Sequence, residues 1–273
     1  MQEKIKILKV RFDKTTLKEA AETAVAWAKQ DKKRYITTPN PEILLEAQKN
    51  HKFHDILNKS DLNIPDGTGI LWAAKYLESV KNTVSKSIKI LKWLISIASI
   101  LFYPPYIRKP LPQRVTGTDL MQEICRLSAK ENLKIFLLGA DEGIAEKTKE
   151  ILQDKYEGLK ITGTHAGTPS IKDEKKIQEI ISRTQPDILF VAYGAPAQEI
   201  WIHRNLKKLK TVSLAIGIGG AFDFIAGKRK RAPRFMQRIG MEWLYRLIQQ
   251  PSRIRRIYNA TIKFSLKVLK KSF

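Results

Sequence analysis

Asp66 stands where a carboxylate could do chemistry. In Asp61-Leu62-Asn63-Ile64-Pro65-Asp66-Gly67-Thr68-Gly69 a strand is expected to end at Pro65, presenting Asp66 at the head of the next helix. An Asp in that place is ordinarily an N-cap, its oxygen accepting from the open N–H groups of the first turn. The same place suits a catalytic carboxylate, because Thr38 and Asn40 arrive at the end of a neighbouring strand. Both readings stand at this point. A second set of residues is glycine. The apolar runs 133–139, 159–163, 187–194 and 211–217 read as strands closing on Gly139, Gly163, Gly194 and Gly217. Glycine there lets backbone approach a phosphate and lets a helix N-terminus point at it. Singly each marks a tight turn; four in register indicate a nucleotide site beyond the strand ends. Gly217-Ile218-Gly219-Gly220 is the densest cluster. It is not a full G-x-G-x-x-G, and no acid follows at the ~20-residue spacing a ribose needs, so a nicotinamide dinucleotide is not expected.

Metal and thiol chemistry find little support. No D-x-D occurs, so the usual carboxylate pair for a divalent ion on a nucleotide diphosphate is missing. His165 follows a strand end and reads either as a nucleotide contact or as a loop residue, while His51, His54 and His203 read as surface or packing residues. The single cysteine, Cys125, excludes an internal disulfide framework and a Cys-based zinc site, and lies in an apolar helical stretch as core.

The elements that must position these residues alternate along the chain. Residues 15–30 read as an amphipathic helix, 34–38 as a strand and 42–58 as a helix entered through Pro39-Asn40-Pro41. With the strand ending at Pro65 they make a smaller α/β unit over 1–74. Across 115–227 the strands alternate with helices at 141–156, 173–183 and 197–209. Continuous apolar strands between helices indicate a parallel sheet covered on both faces, a Rossmann-like α/β fold.

Charge separates this body from two other segments. The chain has 273 residues and a formal charge of +23. Residues 1–74 carry +3, 75–114 carry +7, 115–227 are neutral, and 228–273 carry +13. Two concentrated basic blocks suggest a surface that meets a polyanion. Both blocks are also apolar. The uncharged stretch 93–107 is broken by Pro104 and Pro105 and falls short of the ~20 residues a membrane-spanning helix needs. Lysines at one end, Arg108 and Lys109 at the other, and Trp93, Tyr103 and Tyr106 near the ends suit an interfacial segment; a buried helical hairpin is the other reading. In the tail, Ile262, Leu266, Leu269 and Phe273 share one helical face, with Lys263, Lys267, Lys270 and Lys271 opposite. Such a basic amphipathic helix fits an anionic membrane surface. A nucleic-acid partner is not expected, since apolar side chains gain nothing on a phosphate backbone and no nucleic-acid-binding motif occurs. Mean hydropathy of −0.30 excludes a many-helix membrane protein. The opening MQEKIKILKV has no signal-peptide pattern, so a cytoplasmic location is expected.

Seven motifs then occur in a telling order. They are Thr38-Pro39-Asn40-Pro41-Glu42, Asn63-Ile64-Pro65-Asp66-Gly67-Thr68-Gly69, Arg114-Val115-Thr116-Gly117-Thr118-Asp119-Leu120, Leu138-Gly139-Ala140, Tyr193-Gly194-Ala195-Pro196-Ala197-Gln198-Glu199, Gly217-Ile218-Gly219-Gly220-Ala221-Phe222-Asp223 and Glu242-Trp243-Leu244-Tyr245-Arg246-Leu247. Together they resemble the WecG/TagA/CpsF family of bacterial glycosyltransferases, over about residues 3–258. The resemblance implies an inverting transfer from a UDP-sugar to a polyprenyl-diphosphate-linked sugar, without a metal or other cofactor, on the inner face of the cell membrane. In the teichoic acid branch the donor is UDP-N-acetylmannosamine and the acceptor undecaprenyl-diphosphate-N-acetylglucosamine. By the same resemblance Asp66 is the general base, and Thr38 and Asn40 orient the substrates. Arg114 and Gln198 lie beside the donor diphosphate, with Gly139, Tyr193, Gly194, Gly217, Gly219 and Gly220 on the nucleotide side. Arg246, Arg253 and Arg256 come from a basic C-terminal appendage that closes over the site. One departure stands out: roughly 35 residues, including the first basic block, separate the Asp-Gly-Thr-Gly helix from the Arg-Val-Thr-Gly motif. That block could contact lipid or another copy of the chain, so a homo-oligomer is a further expectation.

Overall fold

The runs around 135–139, 188–192 and 214–217 have no polar face and must be covered on both sides. The computed structural model describes residues 4–233, 235–236 and 242–273, apart from the side chains of Leu101 and Arg246. A hairpin of β1 (Ile5–Ile7) and β2 (Val10–Phe12) precedes six parallel strands. These are β3 (Arg34–Thr37), β4 (Leu62–Asn63), β5 (Lys134–Gly139), β6 (Lys160–His165), β7 (Ile188–Ala192) and β8 (Leu214–Gly217). They form one sheet in the order β4-β3-β8-β7-β5-β6. Residues 1–74 and 115–227 thus share a sheet, because β8 inserts between β3 and β7: Tyr35 pairs with Ala215, and Ala215 with Leu189. The segment boundary at 74 does not divide it.

Ten helices through residue 225 dress the sheet: α1 (Leu17–Ala28), α2 (Pro41–Ala47), α3 (His51–Lys59), α4 (Thr68–Val80), α5 (Lys86–Phe102), α6 (Gly117–Lys130), α7 (Ile144–Lys155), α8 (Glu174–Thr184), α9 (Ala197–Asn205) and α10 (Ala221–Ile225). Ile135 and Leu137 of β5 face a core closed by α1, α6 and α7. Phe136 and Leu138 face the opposite core, closed by α3, α8 and α9. The Rossmann-like expectation holds. Thr16 and Glu19 start α1 with a reciprocal capping box. The helix expected over 42–58 is two helices, since Asn50 caps α3 by accepting from the Phe53 N–H at 3.0 Å. Gly163 lies inside β6, not at a strand end. A Cβ there would sit 2.6 Å from the buried Phe136 ring, so this glycine answers to packing and not to a ligand.

A third core joins the hairpin, α2, α3 and α4 to the tail. The tail runs through helices Glu242–Gln249, Ile254–Tyr258 and Phe264–Lys271, with a π turn at Asn259–Lys263. The apolar face expected of it is the outer one: Ile262, Leu266 and Phe273 are exposed, and only Leu269 is partly covered. Phe264 and Val268 are the buried pair, and the Phe264 ring meets Trp72 edge-on at 6.4 Å. They stand four apart and supply a second apolar strip that α4 can cover.

The block 75–114 is neither a hairpin nor wholly buried. One side of α5 docks on α4, with Trp72 Nε1 donating to Ser96 Oγ at 2.9 Å. Trp93 Nε1 reaches the Ser265 carbonyl at 3.3 Å, joining α5 to the tail. The other side exposes Ile88, Leu91, Leu94, Ile95 and, at 84%, Phe102. Lys89 and Lys92 turn inward to the carbonyls of Ser272 and Ser79, so two of the flanking lysines hold the fold together. Among the described residues no helix is long and apolar enough to cross a membrane. Replacing Phe264 by Ala should cost about 3–5 kcal/mol in urea denaturation, the range for emptying a buried aromatic site. An unchanged midpoint would mean that the tail is not part of the core.

Candidate active site

The carboxyl ends of β3, β5, β7 and β8 open on one side of the sheet, over a cavity of about 680 Å³. Thr38 and Asn40 line it from β3, Asp141 from β5, Tyr193 and Gly194 from β7, and Gly219 and Gly220 from β8. Thr116, Gly117 and Thr118 at the start of α6 and Gln198 at the start of α9 also line it. Helix starts present N–H groups without intrahelical partners and a partial positive charge, a setting for anions. Arg253, Arg256 and Lys263 reach it from the tail.

Gly139 and Gly217 lie behind this lining instead of in it. Gly139 has φ +103°, and a Cβ there would meet the Ala192 carbonyl carbon at 2.8 Å. At Gly217 a Cβ would sit 2.8 Å from Gln198 Nε2. The missing side chain lets the Gln198 amide lie flat on the end of β8. There Gln198 Oε1 accepts from the Gly219 N–H at 3.0 Å, and Nε2 donates to Glu199 Oε1 at 2.8 Å. Thr38 Oγ1 donates to the Gly217 carbonyl at 3.3 Å from the other side.

Asp66 does not cap α4. The cap position is Gly67, at φ +100° and without a side-chain cap bond. The Asp66 N–H donates to the Pro39 carbonyl at 3.2 Å, tying its loop to the end of β3. Asp66 and Asn40 line both the large cavity and a second one of about 220 Å³. The second is formed by the start of α4, Arg114, Glu242, Trp243, Ile257, Ala260 and Thr261 among others. Asn40 Oδ1 caps α2 by accepting from the Ile43 N–H at 3.0 Å, so that oxygen has a structural task.

The arginines divide. Arg253 and Arg256 line both cavities. Arg256 holds Glu42 with both arms, at 3.0 and 2.8 Å, which raises its pKa. Arg114 lines only the second cavity, where Nη1 donates to buried Glu242 at 3.1 Å. It thereby fastens the tail to the loop before α6. The side chain of Arg246 lies outside the described residues. His165 lines neither cavity, and Cys125 is buried core, its thiol pKa pushed up by burial.

Several site residues escaped the sequence reading. Arg229 lines the large cavity and pairs with Asp223 at 3.2 Å. Arg231 binds Asp119 beneath it. Burial alone would raise the Asp119 pKa; the hydrogen bond and charge of Arg231, with Thr116 and Arg114, more than offset this and hold it below the usual range. The run Lys228-Arg229-Lys230-Arg231 reads in sequence as undifferentiated tail charge. Only the neighbouring Asp223 and Asp119 of two motifs hint at pairing.

An α/β enzyme with an anion-suited cavity beyond its strand ends is what fold and site define. The family model of the glycosyl transferase WecG/TagA/CpsF family matches residues 5–100 and 98–273. An N-acetylglucosaminyldiphosphoundecaprenol N-acetyl-beta-D-mannosaminyltransferase of Bacillus spizizenii is 32% identical over 241 residues, 88% of this chain and 80% of the relative. A Staphylococcus aureus protein of the same name is 29% identical over 269 residues, 98% and 92% of the two chains. The chain belongs to the WecG/TagA/CpsF family, as the seven ordered motifs suggest, and is a glycosyltransferase.

Arg114→Ala should loosen the Glu242–Gln249 helix by removing a half-buried cation from beside buried Glu242. Hydrogen exchange should quicken there while the sheet stays protected; unchanged protection would remove Arg114 from this fastening role.

Proposed function

We propose that this chain transfers N-acetylmannosamine, with inversion, from UDP-N-acetylmannosamine to N-acetylglucosaminyl-diphospho-undecaprenol in cell-wall teichoic acid synthesis. The observation that carries this reading is the place of Asp66, shared by two adjoining cavities. The larger, with the glycine turns after β7 and β8, suits the nucleotide sugar. The smaller, walled by the tail, suits the acceptor sugar. The names of the Bacillus and Staphylococcus relatives supply the sugar and the lipid carrier.

In this reading Asp66 takes the proton from the acceptor hydroxyl. The oxygen attacks the anomeric carbon as the bond to the diphosphate breaks, and UDP leaves with the electron pair. Thr38 and Gln198 hold the end of β8 under the donor. The departing charge is met by Arg253, Arg256 and the N–H groups at the starts of α6 and α9. This cation set supports a reaction that needs no divalent ion.

The reading also places the enzyme on the cytoplasmic face of a membrane. What supports membrane contact is the exposed strip of α5 beside the exposed Ile262, Leu266 and Phe273 of the tail. No acidic residue occurs between Glu78 and Asp119 or after Glu242. An acid-free cationic face repels a copy of itself and attracts anionic lipid, which favours a bilayer over a second subunit or a nucleic acid.

With UDP-N-acetylmannosamine and lipid-diphosphate-linked N-acetylglucosamine, Asp66→Asn should lower UDP release by about 10²–10⁴-fold, the share of a general base, while UDP still binds. No release by the wild type with any UDP-hexosamine would end the proposal. Separately, Leu94→Glu with Ile95→Glu should release the protein from phosphatidylglycerol vesicles in a sedimentation assay without unfolding it. Undiminished binding would take α5 out of the membrane contact.

A further inference from the structure

We infer that Glu199 is a positioning residue for the donor cavity: its buried carboxylate fixes the amide of Gln198 and, through it, the turn after β8. The inference rests on the donor reading above. Gln198 and Glu199 are 2% and 1% exposed. An amide side chain can present either its oxygen or its nitrogen to a neighbour, whereas an ionised carboxylate can only accept. Glu199 Oε1 therefore draws Nε2 toward itself and leaves Oε1 to receive the Gly219 N–H. With the amide reversed, its NH₂ would face the Gly219 N–H, donor against donor. The order carboxylate, amide, backbone N–H is thus set from the buried end.

Fold stability does not explain a carboxylate in this place. Glu199 Oε2 is buried and has no hydrogen-bond partner. No ion pair joins Glu199 to a cation among the described residues. An unmet buried oxygen costs free energy that a neutral side chain of similar shape avoids. The group persists at a cost, and its one side-chain partner among the described residues is a residue of the donor cavity.

The titration of Glu199 supplies a signature. Burial raises its pKa to about 7, against the lowering effect of its bonds to Gln198 and to its own N–H. Tyr35 of β3 is the titratable neighbour that feels its charge. Lys52 and Lys59, on α3, and Lys207 act on His203 farther along α9. A carboxyl raised in the folded state holds its proton where the unfolded chain has lost it. Stability therefore falls as pH rises from the ordinary carboxylate range through about 7.

The test compares the full-length wild type with Glu199→Gln and Glu199→Ala, measuring melting, UDP affinity and steady-state transfer from pH 6 to 8.5. Glu199→Gln should melt higher than the wild type at pH 8, because the raised carboxylate is gone. It should nevertheless bind UDP roughly tenfold more weakly and show a matching rise in donor KM, the scale of one charge-assisted hydrogen bond. Acceptor KM should stay unchanged. Wild-type UDP affinity should weaken more steeply as pH falls through about 7 than that of either variant, which should keep only the pH dependence of the UDP phosphate itself. Wild-type UDP affinity and donor KM in both variants would overturn the inference. So would a Glu199→Gln protein that melts lower at pH 8, which would make Glu199 a structural residue. A wild type that neither binds UDP nor transfers would remove the donor reading and this inference with it.

Discussion

β8 is the last strand among the described residues and lies between β3 and β7. The site depends on that insertion. Neighbouring strands lie about 4.8 Å apart, so the ends of β3, β8 and β7 fall within about 10 Å of one another. Thr38 reaches the Gly217 carbonyl from one side of β8, and Gln198 reaches Gly219 from the other. The loop carrying Asp66 hangs from the β3 end through the Pro39 carbonyl. The carboxylate half and the glycine half of the molecule are distant in sequence, and β8 makes them two walls of one cavity.

What could be read in the sequence follows from what is local. Strands covered on both faces are continuous apolar runs, so β5, β7 and β8 were visible, and so were the helices between them. Asp66, Thr38, Asn40, Gln198 and Gly219 stood in motifs whose order is itself information. The pairing of β3 with β8 was not legible, because no local pattern records a hydrogen-bonded contact across about 180 residues. Gly163 misled for a related reason: a glycine beneath a ring and a glycine beside a phosphate look the same in one dimension. Asn50 was a second N-cap inside a periodic stretch that periodicity alone treats as continuous. Arg114 was readable as an anion contact, and its partner Glu242 lies 128 residues away.

The tail shows how one helix serves two surroundings. Its spacing correctly marked Ile262, Leu266 and Phe273 as sharing a face, yet the core took Phe264 and Val268. Trp72 and Tyr76 on α4 offer stacked rings 5.8 Å apart, and Phe264 completes that aromatic group edge-on. With the inner strip fixed there, the outer strip stays beside the exposed face of α5. Docking and display are two sides of the same helix, so the net charge of the tail understates how much of it belongs to the fold.

The cations at the site fall into two tiers, and burial sets the division. Arg231 is half-buried and bonds Asp119 through both of its terminal nitrogens, so pulling it away would leave a half-buried carboxylate unpaired at the start of α6. Arg256 and Glu42 meet at the cavity wall, where the Arg256 side chain is 59% exposed. A pair so solvated is worth about 1 kcal/mol or less. In the proposed reaction a doubly charged diphosphate entering beside it offers a stronger partner than the one half-buried carboxylate of Glu42. In that reading the first tier holds the pocket's shape, while the second keeps a guanidinium in place until an anionic ligand takes it. A transferase that must gather negative charge on a leaving group, and then let the product go, needs both.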